Sequence, residues 1–189
     1  MQLIYAIDID PEQYVAQSFH KRMLPPKKCP HCCRSKTLWA LGYYSRNLSR
    51  IGLGALLIFV RRFVCRCCRK TVSLLPAFAQ PYRFVQNPTI EKYARGNSFS
   101  DEVSRHSDLL SQYWKQFCRW LPELERTLGR TLGRAPPSDP VAAWRFLLEN
   151  HGDLGSTTRN LVAAFQITLF GCYRCHHPNG PGEKIVRKR

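Results

Sequence analysis

The chain has 189 residues, room for one domain or two small ones, and 44% of them are hydrophobic, which excludes a wholly disordered chain. The formal net charge is +16, and +14 of it falls in residues 13–90, which hold 14 Lys and Arg and no Asp or Glu. The longest apolar run, residues 51–60, is flanked by arginines and too short to span a bilayer. The first residues, Met1 to Tyr5, carry no basic group and are followed by Asp8, Asp10 and Glu12, which is not the pattern of a secretory signal. Nine cysteines without a signal argue against a disulfide scaffold and for reduced thiols in a cytoplasmic protein.

Taken in chain order, the first informative elements are two knuckles, Cys29-Pro30-His31-Cys32 and Cys65-Arg66-Cys67-Cys68. A Cys-x-x-Cys turn aims two sulfurs at one ion, and two such turns complete the tetrahedral shell that Zn2+ favours. Cys29, Cys32, Cys65 and Cys68 are therefore the expected ligands of one structural Zn2+. Cys33 and Cys67 are spare thiols, and His31 is a substitute ligand within reach. The bland alternative, a set of buried free cysteines, leaves two matched pairs unexplained.

The 32 residues between Cys32 and Cys65 suit a zinc ribbon with strands in the gap. Residues 37–41 read as a strand and Gly42-Tyr43-Tyr44 as a turn. Residues 56–64 read as a strand entering the second knuckle, and residues 71–75 as the strand leaving it, stopped by Pro76. Lys27, Lys28, Arg34 and Lys36 flank the first knuckle; Arg61, Arg62, Arg66, Arg69 and Lys70 crowd the second. Four thiolates on a dication carry about −2, so two or three cations would neutralise the site. The surplus points to phosphate contacts. Trp39, Tyr43 and Tyr44 either stack on bases or form the small ribbon core.

Asn87-Pro88 opens a helix that Gly96 stops, with Asn87 as the expected cap. Ser98 and Asp101 then start a short helix through Val103 to His106. After Ser107-Asp108 a strongly amphipathic helix sets Leu110, Tyr113, Trp114, Phe117 and Leu121 on one face, and Pro122 is expected to limit it. Its polar face shows Gln112, Lys115, Gln116 and Arg119, side-chain types that read base edges in the major groove. Three helices with tight joints are the layout of a helix-turn-helix. The same polar face is also what any solvated helix displays.

Thr127-Leu128-Gly129-Arg130 repeats directly as Thr131-Leu132-Gly133-Arg134 before Pro136-Pro137, and reads as a linker. Asp139-Pro140 caps a helix carrying Val141, Trp144, Phe146, Leu147 and Leu148. Ser156 or Thr157 caps a last helix through Leu161, Val162, Phe165 and Leu169. Cys172-Tyr173-Arg174-Cys175-His176 matches the haem-attachment string, a chemistry that needs an export signal. Cys172, Cys175, His176 or His177 form a weaker second Zn2+ candidate, with Cys118 as a spare ligand. Lys184, Arg187, Lys188 and Arg189 make a basic tail.

The expected fold class is α+β: a small β zinc ribbon, a mostly α-helical helix-turn-helix region and a C-terminal helical pair. The expected divisions are a ribbon with an N-terminal extension at 1–80, helices at 87–122, a linker at 123–138, a helical pair at 139–175 and a basic tail at 176–189.

Cys29-Pro30-x-Cys32, then the run from Phe63 through Cys65, Cys68, Arg69, Lys70 and Thr71 to Pro76, then Pro81-Tyr82-Arg83, resemble an uncharacterised bacterial zinc-ribbon family. Its members look like relatives of the N-terminal regions of insertion-sequence transposases. The resemblance covers about residues 1 to 122. It implies a zinc ribbon followed by a helix-turn-helix, and with them DNA binding, with Cys29, Cys32, Cys65 and Cys68 as metal ligands.

The function expected is that of a zinc-dependent DNA-binding protein, transposon-derived or transposase-associated, with duplex DNA as partner and no membrane. The alternatives are an RNA-binding ribbon and a protein-interaction module with a structural zinc. Catalysis is not expected. A transposase needs a carboxylate triad holding two cations. Asp8 and Asp10, at i and i+2 of a short strand, lie before the ribbon, and the remaining acids are scattered.

Overall fold

The computed structural model describes residues 1–50, 53–96, 107–165 and 167–172. The fold is α+β, with a four-stranded sheet in the N-terminal half and mostly helices after it. Strands β1 (Gln2–Tyr5), β2 (Leu38–Arg50), β3 (Gly54–Cys65) and β4 (Thr71–Pro76) stand in the order β1-β4-β3-β2. β2 and β3 form a long antiparallel hairpin, and β4 returns antiparallel beside the base of β3, from Arg61↔Leu74 to Val64↔Thr71. β1 closes the sheet parallel to β4, from Gln2↔Ser73 to Tyr5↔Pro76.

Between β1 and β2 lie the short helix α1 (Pro11–Ala16) and a 3-10 turn at Phe19–Lys21. Asp10 is not on a strand face with Asp8. It is the N-cap of α1, and its Oδ1 accepts from Gln13 N at 2.7 Å. Tyr14 of α1, fully buried, packs with Met23, Leu48, Ile58, Val60, Phe63, Val72 and Leu74 into the ribbon core.

The expected turn at Gly42-Tyr43-Tyr44 is strand instead. β2 runs through it to Arg50, because the alternation of buried Arg46 and Leu48 with exposed Ser45 and Asn47 continues past the glycine. The register slips between Ala40 and Gly42, and Gly42 takes φ +123 there, a conformation a β-bulge asks of glycine.

The helices are α2 (Asn87–Ala94), α3 (Ser107–Leu132), α4 (Pro140–His151) and α5 (Leu154–Phe165), with a minimal hairpin of β5 (Ile167–Thr168) and β6 (Gly171–Cys172). Gln86 rather than Asn87 is the N-cap of α2; the Asn87 side chain turns inward and donates to the Ala77 carbonyl at 2.6 Å. The short helix expected through Val103 to His106 lies outside the described residues, as do Cys175, His176, His177 and the basic tail.

α3 corrects two expectations at once. It does not stop at Pro122, and residues 123–132 are helix rather than linker. The apolar period continues past the proline: Leu110, Tyr113, Phe117, Leu121, Leu124 and Leu128 are all buried. Pro122 is exposed, so its ring meets solvent, and the interior-proline penalty of about 3 kcal/mol is offset by burying Leu124 and Leu128 at about 1.5–3 kcal/mol each. At 26 residues the helix is about 39 Å long. None of the described helices is long and apolar enough to cross a membrane.

Asp139 caps α4 as its sequence predicts, its Oδ2 accepting from Ala142 N at 2.7 Å. α5 begins two residues earlier than its expected caps. Asp153 Oδ1 accepts from Ser156 N, and Glu91 of α2 accepts from Leu154 N at 2.8 Å. Two carboxylates thus sit at the positive end of the helix dipole. The helix ends at Phe165, and Leu169 and Phe170 turn back into the core through β5 and β6. Trp144 of α4 meets Phe117 edge-on at 5.2 Å and Trp114 at 5.9 Å, so α4 packs on α3 within one helical core.

The two cores are joined through the loop after β4. Gln80, fully buried, exchanges two hydrogen bonds with Thr158 of α5, at 2.9 and 3.0 Å. Gly155 presses against the same loop, where a methyl group would collide with the Ala77 carbonyl oxygen. Gly155→Ala is expected to cost about 1–3 kcal/mol by overpacking, read as a lower urea midpoint. Leu128→Ala is expected to cost about 2–5 kcal/mol; a loss below about 0.5 kcal/mol would mean that residues 123–132 are the solvated linker after all.

Candidate metal centre

The two knuckles are built alike. In each, the first cysteine donates its N–H to the carbonyl five residues on: Cys29 to Arg34 and Cys65 to Lys70, both at 2.9 Å. In each, the residue after the second cysteine returns its N–H to the first cysteine's carbonyl: Cys33 to Cys29 and Arg69 to Cys65, both at 2.8 Å. Those residues, Cys33 (φ 59) and Arg69 (φ 61), take the left-handed conformation that closes so tight a loop. The second knuckle is itself the turn between β3 and β4. The first is a loop pinched by a bridge between Lys28 and Ser35.

The loops bring Cys29, Cys32, Cys65 and Cys68 together, with all four Sγ atoms within 4.8 Å of one another. Cys29 and Cys68 are 3.8 Å apart and Cys32 and Cys65 3.7 Å. These separations are far too long for disulfides, at about 2.05 Å. They match the edge of about 3.8 Å that metal–sulfur bonds of about 2.3 Å give a tetrahedron. The four cysteines thus fit a single metal ion, with dimensions consistent with zinc. Among the described residues no other group of three or more His, Cys, Asp or Glu side chains comes together in this way.

Electrostatics agree with the geometry. Burial opposes ionisation of Cys65, but the Thr37 hydroxyl, 3.2 Å from its Sγ, and the N–H groups of Cys68 and Cys67 outweigh it and bring the thiol down to about 6. Burial pushes Cys29 up to about 12, against the opposing N–H groups of His31 and Cys32. Burial also raises Cys68. A dication among the sulfurs would favour the thiolate form that burial opposes at Cys29 and Cys68.

His31 does not take a ligand position. Its Nε2 lies 3.4 Å from the Thr71 carbonyl, outside the sulfur cluster. Cys33 and Cys67 are exposed beside it. Cys118 lies on α3 against the helical core, where burial raises its pKa. Cys175, His176 and His177 of the second metal candidate lie outside the described residues.

The expected nucleic-acid residues fall into two groups on separate elements. Arg61 and Arg62 are on β3, and Arg66, Arg69 and Lys70 are in and after the second knuckle. Gln112, Lys115, Gln116 and Arg119 share one face of α3; Gln116 is half-buried and the others are exposed. Not foreseen from sequence are the ring partners of the first group. Arg66 lies 3.3 Å from the Trp39 ring centroid, Arg61 4.8 Å from Tyr43 and Arg62 5.8 Å from Tyr44. Only the strand register, with Tyr43 directly opposite Arg61, makes such pairs visible.

A family described as a domain of unknown function, DUF6431, matches residues 29–113. The match opens on the first cluster cysteine, contains all four and ends within α3. No curated protein and no solved structure matches the chain.

Reduced protein is expected to take up one equivalent of Zn2+ or Co2+. Cys29→Ser and Cys65→Ser should abolish uptake, whereas Cys33→Ser and Cys67→Ser should leave it intact. Uptake that survives Cys65→Ser but not Cys67→Ser would put the wrong thiol in the shell.

Proposed function

We propose that this chain is a zinc-dependent DNA-binding protein, with a role akin to that of the DNA-recognising N-terminal region of insertion-sequence transposases. One observation carries the reading. The cysteine cluster sits in a stretch with 14 cations and no acid, and among the described residues Arg61, Arg62, Arg66 and Arg69 have no carboxylate partner. Surface arginines in an ordinary protein are interspersed with acids. Here they face rings and solvent, and their mutual repulsion is relieved by a polyanion.

In this reading the Zn2+ is structural, because a closed four-sulfur shell leaves no position for water or substrate. It holds Arg66, Arg69 and Lys70 on a turn of fixed shape. These residues, with Arg61 and Arg62, contact phosphates. Gln112, Lys115, Gln116 and Arg119 of α3 supply base contacts in the major groove. The ribbon gives affinity and the helix gives sequence preference.

If the five ribbon cations each meet one phosphate, log K for duplex DNA falls against log salt with a slope of about −4 to −5. Arg66→Ala combined with Arg69→Ala should flatten that slope by about 2. Gln112→Ala should weaken a selected site by about 1–3 kcal/mol and leave the slope alone. Binding that ignores salt, or that persists unchanged in metal-free Cys65→Ser, would falsify this reading.

A further inference from the structure

The three aromatic residues of β2 are not alike. Tyr44 is half-buried against the ribbon core, and its hydroxyl accepts from Gln2 Nε2 at 3.0 Å. Tyr43 is braced edge-on by the buried His20 ring at 4.8 Å. Trp39 is 51% exposed, with the Arg66 guanidinium laid against it.

The register places these rings. Trp39 pairs with Val64 and Tyr43 with Arg61, three residues apart on β3, so the two rings project from opposite faces of the hairpin. Tyr44 pairs with Val60, an even step from Val64, and shares the face of Trp39. Between Trp39 and Tyr44 on that face comes Gly42, opposite Arg62. A Cβ at Gly42 would meet no atom within 4 Å, so the space there is open. The result is a notch floored by glycine backbone. Trp39 with Arg66 stands on one side, Tyr44 on the other, and Arg62 lies across from the floor.

An exposed indole with a cation laid against it and open space at the neighbouring glycine offers a flat apolar face beside positive charge. A stacked base covers that face, and its phosphates meet Arg62 and Arg66. Bases in a duplex are already stacked and turn only their edges outward. We propose that this notch binds an unpaired base, so that the ribbon is a single-strand site distinct from the α3 face. The proposal rests on the nucleic-acid reading above and adds to it a ligand class and a place.

The test compares fluorescent dT 15-mers with abasic strands of equal length, which keep the phosphates and lack the bases. Zinc-loaded protein should bind the dT strand about tenfold more tightly, with quenching of tryptophan emission that the abasic strand does not cause. Trp114, Trp120 and Trp144 belong to the helical core, so Trp39→Ala should remove both the quenching and the tenfold preference. Trp39→Phe should restore much of the preference. Zinc content and the urea midpoint should change little in either variant, which separates loss of stacking from loss of fold.

Equal, salt-sensitive binding of dT and abasic strands without quenching would overturn the notch and leave the nucleic-acid reading standing. No binding of any strand or duplex at low salt would end both. Self-association of the wild type that Trp39→Ala abolishes, without strand-dependent quenching, would assign the ring to a second copy of the chain and overturn the proposal.

Discussion

Four sulfurs held within 4.8 Å of one another are the constraint on which the N-terminal half depends. The second knuckle is part of the sheet, since β3 ends at Cys65 and β4 begins at Thr71. The first is not: it is tied to the sheet by the Arg66 N–H on the Thr37 carbonyl, by His31 against the Thr71 carbonyl and by the sulfurs themselves. Cys29 and Cys65 are among the buried core residues of the ribbon. Without a cation, only weak sulfur hydrogen bonds and packing hold the two knuckles against each other there. With one, the same atoms become a rigid cross-link between segments 32 residues apart in sequence.

The absence of acids imposes a second rule, because the arginines of this half must find other partners. Arg46 is buried, donating to the Gln80 carbonyl at 2.7 Å and lying over the Phe84 ring. Arg83 lies against the paired rings of Tyr113 and Phe170, 4.9 and 5.4 Å from their centroids, and burial lowers its pKa. Arg50 pairs with Glu12, which lies outside the stretch. Rings and carbonyls orient a guanidinium without cancelling its charge. The ribbon is therefore both well packed and strongly positive, a combination that carboxylate pairing would have forbidden.

How much could be read from the residues varied with the range of the interaction. The cluster was legible because each knuckle is a local turn of four residues whose chemistry repeats. So were β4, α2 and the cap of α4, each marked by a proline or a capping side chain in the right place. Gly42 and Pro122 misled for one reason: both are strong local punctuation, and in both cases the period of the surrounding apolar residues overrode it. Leu124 and Leu128 continue the α3 stripe, and Arg46 and Leu48 continue the β2 alternation. β1 had no local signal at all. It exists because its partner β4, about 70 residues away, offers it an open parallel edge. The notch beside Trp39 depends on cross-strand register, which a single bulge shifts by one residue.

The joint between the halves follows from the same economy of partners. β4 leaves the second knuckle and, four residues after its end, delivers Gln80 into the helical half. There Gln80 satisfies both hydrogen-bonding groups of its amide, on Thr158 and the Leu154 carbonyl, in a site with no water contact of its own. Gly155 lets α5 approach close enough for those bonds to form. A buried amide satisfied at only one end would cost more than it contributes, so the loop and α5 hold one relative position or separate altogether. The segment that ends the knuckle thereby also sets where the helices dock. A cation at the cysteines would order the ribbon directly, and the helical half through the loop after β4 and the contact of α5 with β1.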